Sequence, residues 1–291
     1  AAYGNCGSRA VVLGMSKILF ATDLGDAGES AFSFLLPLAD ALRAKIWLLH
    51  VEHIPATEIQ VSGGMLEEVM QHRHKAALEG LYQLKMEIAE YAFQNNTIIE
   101  SDHILSSGLV AEEIVHAADN LHPDFIVVGA GMNKGFPAFI SGDIATTLIK
   151  KSHTTLLIVP QKEELPSKGK IVFATGWDKG DDLVIQQLAA YARQLQEELV
   201  VLHIDQSDAE KTNALRDYMQ TNFASEMEHG KVALVISSNE DITEGIAAYV
   251  RNNGVRILAA GHHHHRFELF HRHIAAGLAH AVDVPLMVFQ V

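Results

Sequence analysis

The residues best suited to chemistry lie in two short segments of the first half of the chain. Asp23 follows the apolar run 17–22, and its carboxylate can accept hydrogen bonds from ribose hydroxyls or from a base edge. A glycine-rich segment, 129–142, precedes a second apolar run that begins at Asp143. Glycine lets a backbone approach a ligand closely, and the free N–H groups of a helix start favour an anion. A helix cap at Asp23 and a tight strand-to-helix connection remain the simpler interpretations.

Both segments need a scaffold that presents them at one edge of a sheet. Short β-branched runs alternate with longer amphipathic stretches, which is typical of a parallel sheet covered by crossover helices. Such sheets bind ligands at the carboxyl ends of their strands, where the strand order reverses. We therefore predict an α/β fold with Rossmann-like sheets. The predicted strands are 17–22, 45–52, 98–105, 124–129, 154–159, 170–175, 198–205, 231–238, 255–260 and 284–291, and the predicted helices of the first half are 28–43, 66–94, 110–119 and 142–151.

The chain contains two copies of one unit. The run KILFATD at 17–23 returns as KIVFATG at 170–176, which is 153 positions later, and the other predicted strands recur in the same order. This repetition predicts two tandem five-stranded parallel-sheet domains. The predicted segments are an N-terminal extension or cloning remnant at 1–14, domains at 15–160 and 170–291, and a polar linker at 161–169.

Composition argues against several classes of protein. The chain has 291 residues, 48% of them hydrophobic, which is enough for two cores. A net charge of −14 disfavours nucleic acid as a partner, and no apolar run reaches the roughly 18 residues of a membrane span. The single cysteine, Cys6, suits a reducing compartment. We expect a cytoplasmic protein that contacts neither nucleic acid nor membrane.

These motifs together resemble the universal stress protein family. The resemblance rests on Asp23 closing strand one, His50-Val51 closing strand two, the glycine loop after strand four, and the duplication, which is similar to that of two-domain members. It covers 15–291 and implies that the aspartate contacts a nucleoside, that backbone at the end of strand two contacts adenine, and that the loop holds phosphate. The implied adenine-nucleotide site comprises Ala21, Thr22, Asp23, Val51, Val128, Gly129, Gly142 and Ile144, with Met132, Lys134, Gly135 and Asp143 from the loop.

Two loop positions depart from the family pattern, which reads GxxG, nine residues, then G followed by Ser or Thr. Met132 replaces the second glycine, and Asp143 replaces the hydroxyl residue. Two like charges about 4 Å apart at an effective dielectric near 20 repel by about 4 kcal/mol, or roughly a thousandfold in affinity. Lys134 or a bridging divalent cation would recover part of this loss. We therefore expect adenosine or a monophosphate to bind better than ATP, unless Asp143 only stabilises its own helix.

The second half lacks this apparatus and carries a histidine-rich loop instead. Gly176 replaces Asp23, and six histidines lie within 261–273. Neutral imidazole suits zinc, nickel or copper. A solvated polar loop and a pH-responsive cluster are the alternatives. Because alternate residues of an extended strand share a face, the candidate metal ligands are His262, His264, His271 and His273.

The sequence favours a regulatory binding protein over an enzyme, because no general base stands with a group that positions a nucleophile. We interpret the chain as a cytoplasmic stress-response protein that binds an adenine nucleotide in its first half. A nucleotide-free interaction scaffold and a metal or pH sensor at 262–273 are the alternatives. Apolar final strands predict an internal pseudo-dimer of the two halves, and a homodimer of whole chains is a further option. His50 and His203 recur in both halves, which favours a packing or backbone-bonding role.

Overall fold

The computed structural model describes residues 16–52, 63–130, 132–133, 136–137, 143–205, 208–262, 278 and 282–291. Strands and helices alternate through this part of the chain, so the predicted α/β fold class is confirmed. Most strands are buried over nearly their full length, as β-branched and leucine-rich runs in parallel sheets are.

The first half contains the strands and helices that carry Asp23 and the glycine loop. One of its interior strands, FIVVGA, is buried at every position. Two acids, Glu112 and Glu113, lie in the first turn of the third helix, where the helix dipole stabilises their negative charge. The elements are β1 Lys17–Ala21, α1 Asp26–Leu42, β2 Lys45–Glu52, α2 Gly63–Gln94, β3 Ser101–Ser107, α3 Val110–Leu121, β4 Phe125–Ala130, β5 Met132–Asn133, β6 Phe136–Pro137, α4 Asp143–Lys151 and β7 Thr155–Pro160.

The described part of the second half repeats the order from β1 to β4 and the final strand, with one additional short helix, α7 (Ala224–Glu228). Two of its helices begin with an aspartate cap: Asp208 accepts a hydrogen bond from the N–H of Lys211, and Asp241 accepts one from the N–H of Glu244. The elements are β8 Lys170–Ala174, α5 Asp181–Leu195, β9 Glu198–Asp205, α6 Ala209–Asn222, α7 Ala224–Glu228, β10 Val232–Ser238, α8 Ile242–Asn252, β11 Val255–His262 and β12 Leu286–Gln290.

Ten of these strands form one sheet in the order β10-β9-β8-β11-β12-β7-β4-β1-β2-β3. Neighbours within each half are parallel, and the two halves meet where β12 pairs antiparallel with β7. Met287 lies opposite Leu157 at the centre of that pairing. β5 and β6 form a separate antiparallel hairpin. The strand order reverses between β1 and β4 in the first half, which is where parallel sheets bind ligands.

An apolar layer covers each face of the sheet. On one face it runs across both halves, because α1 packs against α5 there. The ring of Tyr191 lies 5.1 Å from that of Phe125 at this junction, and burial raises the pKa of Tyr191 to about 12. Among the described helices, none combines the length and the apolar character that crossing a bilayer would take.

Several predicted boundaries were wrong by a few residues. α1 begins at Asp26 rather than at residue 28, because Gly25 ends the preceding turn in an extended conformation. β3 covers Ser101–Ser107 rather than 98–105: Ile98 is 88% exposed, and the polar end of the strand pairs with β2 up to Glu52. α2 begins at Gly63, three residues early, and β11 extends to His262. The remaining shifts are of one or two residues at element ends, where hydrogen bonding rather than apolar pattern decides the limit.

Candidate functional site

The turn after β1 is fixed by hydrogen bonds to its own residues and to β2. The N–H of Thr22 donates to the carbonyl of Leu49 at 2.9 Å, and Thr22 Oγ1 accepts from the N–H of Leu24 at 2.9 Å. Leu24 has a φ of 61°, which is uncommon for a residue with a side chain. Asp23 Oδ1 accepts from the N–H of Gly25 at 3.0 Å. The carboxylate of Asp23 is thereby oriented while its residue remains exposed.

The same turn recurs after β8. Thr175 Oγ1 accepts from the N–H of Trp177 at 2.8 Å, and Trp177 has a φ of 57°. His50 Nδ1 lies 2.9 Å from the carbonyl oxygen of Thr22, and His203 Nδ1 lies 2.9 Å from that of Thr175. Because a carbonyl only accepts, both imidazoles donate from Nδ1. The predicted backbone-bonding role of these two histidines is confirmed.

Gly129 brings the end of β4 against the start of α1. A Cβ on Gly129 would lie 2.2 Å from the carbonyl oxygen of Ala27 and 3.1 Å from the backbone nitrogen of Gly28. Both are backbone atoms, so neither can rotate away. Val128, which precedes Gly129, pairs with Ala21 of β1. Glycine is therefore required here by packing alone, before any ligand is considered.

A cavity of about 420 Å³ opens at the carboxyl ends of β1 and β2. Small-molecule sites in proteins occupy roughly 300 to 1,000 Å³, so this cavity is large enough for a nucleoside. One wall is formed by the strand ends and the other by α2. The lining residues are Asp23, Leu24, His50, Val51 and Glu52 from the strand ends, and Met70, Arg73, Ala76 and Ala77 from α2.

Glu52 closes β2 at this cavity, and its side chain is 10% exposed. Its Oε2 accepts from His74 Nδ1 at 3.1 Å and from Ser107 Oγ at 3.3 Å. Its backbone carbonyl accepts from the N–H of Gly108 at 3.2 Å. The other carboxylate oxygen, Oε1, is buried and has no hydrogen-bond partner within the residues that the structure describes. Glu52 is thus a cavity-lining residue whose carboxylate is held in place by side chains of α2 and β3.

The strand wall of the cavity is rich in hydrogen-bond acceptors. Asp23 and Glu52 contribute carboxylates, and His50 presents Nε2 as an acceptor when its neutral ring donates from Nδ1. Arg73 contributes a cation from the α2 wall. Such a cavity suits a small ligand that carries hydroxyl and amine donors, together with a planar or anionic part that a guanidinium can contact.

The structure places some of the predicted site residues at adjacent strand ends and others on the hairpin and on α4. Met132 lies in the β5–β6 hairpin, and Asp143 and Ile144 begin α4. Lys134, Gly135 and Gly142 lie outside the described residues. The residues that meet at adjacent strand ends are Ala21, Thr22, Asp23, Val51, Val128 and Gly129.

The second half places a carboxylate at a different position of its turn. Gly176 stands where Asp23 stands, and Asp181 stands where Gly28 stands. Asp181 is 2% exposed, and its Oδ2 accepts from Thr175 Oγ1 at 2.6 Å. The sequence comparison of the halves had identified the loss of Asp23 but missed this gain.

The surroundings of Asp181 are occupied by the protein's own side chains. Asp181 Oδ2 also accepts from the N–H of Asp178 at 2.9 Å, and Asp178 pairs with Lys211 at 3.0 Å. The ring of Trp177 packs 4.9 Å from that of Tyr218 on α6, the counterpart of α2. In the first half, the smaller Leu24 takes the place of Trp177 and lies against Gly80 of α2. The turn is thus held closed by large side chains in the second half.

The histidine loop lies largely outside the described residues. His262 ends β11, while His264, His271 and His273 are not described. Among the described residues, no three His, Cys, Asp or Glu side chains are grouped so as to hold a metal ion. Zinc binding through this loop therefore stays a prediction.

A larger cleft of about 980 Å³ lies between α1 and the segment that follows β7. Its acidic lining includes Asp26, Glu29, Glu163 and Glu164, and its basic Arg256 is already paired with Glu197 at 2.5 Å. Lys162, which also lines this cleft, lies 3.7 Å from Asp283. Size alone does not make it the better candidate, and we assign the site to the smaller cavity.

Two parts of the cavity escaped the sequence analysis. Glu52 directly follows His50 and Val51 at the end of the second predicted strand, so its sequence position could have identified it as a site residue. Met70, Arg73 and Ala77 follow an i, i+3, i+7 spacing that places them on one helix face. That spacing shows a shared face but not which element the face covers, so only the structure identifies it as the second wall.

A model of the universal stress protein family matches residues 15–160, which is half of the chain. The chain therefore belongs to the universal stress protein family. A universal stress protein of Methanocaldococcus jannaschii is 25% identical over 149 residues, which cover 50% of this chain and 84% of that protein.

Solved structures share the fold across both halves. A universal stress protein of Archaeoglobus fulgidus superposes with a TM-score of 0.75 at 17% identity, covering 94% of this chain and 98% of that one. A universal stress protein of Pseudomonas aeruginosa superposes with a TM-score of 0.62 at 14% identity, covering 96% and 94% respectively. At such identities the likeness concerns the fold alone, so the ligand must be argued from the cavity.

Proposed function

We propose that this chain is a cytoplasmic regulatory protein of the stress response that binds an adenine nucleotide in its first half, and that it is not a committed enzyme. The observation that carries the proposal is the cavity at the ends of β1 and β2, which places Asp23, Val51 and Glu52 around one nucleoside-sized space. These strand ends also carry the family-like motif on which the nucleotide expectation rests.

Hydrogen-bond chemistry supports a nucleoside over other ligands of this size. The exposed carboxylate of Asp23, oriented by the N–H of Gly25, can accept from two vicinal ribose hydroxyls. Val51 is buried one residue before the end of β2 and lines the cavity. A base would lie between this strand end and the α2 wall, where Met70 and Arg73 can cover its face.

The phosphate side of the site determines which nucleotide binds. α4 begins at Asp143, so a carboxylate residue occupies the first position of the helix that would meet phosphate. We expect adenosine and AMP to bind more tightly than ATP, because each further phosphate brings more negative charge toward Asp143. A divalent cation bound with the nucleotide would weaken this preference.

The two halves act together as an internal pseudo-dimer in this proposal. The antiparallel pairing of β7 with β12 supports it, since the two final strands join the halves into one sheet. The second half would serve assembly rather than binding, because its turn is filled by Asp181 and Trp177. A homodimer of whole chains stays a separate prediction, which light scattering after size exclusion would test.

Calorimetric titration of the protein with adenosine, AMP and ATP tests the proposed site. We expect wild type to bind adenosine and Asp23→Ala to lose at least about tenfold in affinity, since each lost hydrogen bond to a charged group is worth about 1.5 to 3 kcal/mol. Asp119→Ala, which changes an exposed aspartate on α3, is the matched control and should bind as wild type does. Failure of wild type to bind any of the three would favour the nucleotide-free scaffold.

A further inference from the structure

The long helix α2 exposes apolar side chains that the fold of the chain does not use. Tyr82, Met86 and Phe93 are 54%, 67% and 88% exposed. In the described part of the second half, the counterpart helices α6 and α7 carry no large hydrophobic residue at an exposed position. The architecture shared by the two halves therefore does not require these side chains. Contiguous apolar patches of more than a few hundred Å² mark interaction sites on protein surfaces.

The exposed residues follow a heptad spacing along α2. From 72 to 93, every position spaced alternately by three and four residues is exposed, and we call these positions the α2 seam: His72, Lys75, Glu79, Tyr82, Met86, Ala89 and Phe93. The opposite side of the helix faces the core, where Leu81 and Ile88 are buried. A second helix packs along a seam with this spacing when its residues are apolar. The last four positions of the α2 seam meet that condition.

We propose that the apolar part of the α2 seam, 82–93, packs antiparallel against the same segment of a second copy of the chain. Tyr82 of one copy then lies opposite Phe93 of the other, and Met86 lies opposite Ala89. Each contact occurs twice, so the interface is isologous and closes as a dimer. This inference does not depend on the proposed nucleotide site.

Charge and size favour this direction of pairing. A parallel, in-register pair would set Lys75 against Lys75 and Glu79 against Glu79, and like charges repel. An antiparallel pair centred between Met86 and Ala89 leaves both charged residues outside the shared apolar segment, because Glu79 then lies opposite Asn96, beyond the end of the helix. It also places the long methionine against the small alanine, as well-packed helix interfaces do. The seam is thus complementary to itself, which favours a second copy over an unrelated partner.

The exposed area sets the expected strength of the dimer. Tyr82, Met86 and Phe93 together expose roughly 400 Å², so two copies would cover roughly 800 Å² before the flanking residues are counted. Interfaces below about 1,200 Å² belong to weak, transient complexes. We therefore expect a reversible dimer with a dissociation constant in the micromolar range.

Sedimentation velocity over a range of concentrations tests the pairing on the full chain. We expect wild type to dimerise and Met86→Glu to dimerise at least about tenfold more weakly, because the pairing would bury its charge at the centre of the seam. Leu183→Glu is the matched control, since Leu183 is 65% exposed but lies on α5, and it should dimerise as wild type does. Circular dichroism and thermal unfolding establish that each variant is folded.

Disulfide cross-linking in a Cys6→Ser background tests the direction of the pairing. Tyr82→Cys mixed with Phe93→Cys should give a cross-linked dimer of the two variants, because these positions face each other. Neither variant should cross-link alone, since identical positions lie about 16 Å apart in the antiparallel pair. Self-cross-linking of Tyr82→Cys without the mixed product would overturn the antiparallel arrangement.

Two results of the sedimentation experiment would overturn the proposal as a whole. One is a wild-type chain that stays monomeric up to about 0.1 mM, which would leave the α2 seam to a different protein. The other is Met86→Glu dimerising as tightly as wild type, which would place the dimer interface on another surface.

Discussion

Exchanging Gly28 for aspartate would bring the closed turn of the second half into the first half. Asp181 occupies the equivalent position after β8, where it is buried and accepts from Thr175 Oγ1, and Gly176 there stands in place of the strand-end aspartate. In the first half, Asp23 is still present. A Cβ on Gly28 would lie 3.4 Å from Asp23 Oδ1, so the new carboxylate and the old one would be neighbours.

The electrostatic cost of this change can be estimated from that distance. Two carboxylates about 4 Å apart at an effective dielectric near 20 repel by about 4 kcal/mol. This value is an upper limit, because Asp23 is exposed and solvent screens its charge. Interaction of the new negative charge with the dipole of α1 stabilises the folded state by about 0.3 to 1 kcal/mol. The repulsion therefore dominates, and we expect Gly28→Asp to be less stable than Gly28→Asn by at least about 1 kcal/mol at pH 7.

The asparagine variant is the matched control because it has the same shape without the charge. A Cβ at this position would lie 2.4 Å from Thr22 Oγ1, so the threonine side chain must move in both variants and its cost cancels in the comparison. The repulsion raises the pKa of one of the two carboxyls above its unfolded value near 3.9. The native state then holds a proton longer than the unfolded chain does, so the instability appears as the pH rises through these values and is absent below them.

Urea unfolding at pH 3.5 and pH 7 measures the difference, and titration with adenosine reports the site. Adding Asp23→Gly to Gly28→Asp recreates the pair found in the second half, so it should restore stability without restoring adenosine binding. Equal stability of the aspartate and asparagine variants at pH 7 would refute the electrostatic argument. So would a double variant that remains as unstable as Gly28→Asp.

Three other changes test separate parts of the structure. Asp143→Ser should raise ATP affinity relative to AMP, by up to roughly a thousandfold if the full repulsion is removed, and an unchanged ratio in calorimetry would refute that reasoning. Gly129→Ala should lower the free energy of unfolding by about 1 to 3 kcal/mol in urea, because its Cβ would meet the Ala27 carbonyl at 2.2 Å; wild-type stability would contradict this packing. Burial raises the pKa of Glu197, although the neighbouring Arg256 opposes this shift. The contribution of Glu197 to stability should therefore fall as the pH rises from about 4.3, its unfolded value, through the folded pKa. Urea unfolding between pH 4 and pH 7 should show this loss in wild type but not in Glu197→Gln.

The sequence predicted the strands of the central sheet well, because buried parallel strands are continuous apolar runs. FIVVGA of β4 and KILFA of β1 are examples, and both lie within about one residue of their predicted limits. The element ends were predicted less well, since polar groups decide them. β3 continues to Ser107 because Ser106 and Ser107 pair with Val51 and Glu52, which no apolar pattern reveals.

The cavity was only half predictable for a similar reason. Asp23 and Val51 are recognisable at strand ends, because the carboxyl ends of parallel strands lie at one edge. Arg73 belongs to a helix more than 20 residues further along the chain, and its contribution depends on how that helix packs over the strands. The unpaired oxygen of Glu52 depends on side chains from α2 and β3 together. Contacts of this kind are set by tertiary packing.

The most direct test of the account is a crystal structure of the protein grown with adenosine. The account predicts the base beside Val51, between the strand ends and α2, and the ribose hydroxyls at Asp23. Adenosine found instead in the cleft between α1 and the segment 161–167, or absent from the cavity at saturating concentration, would contradict it.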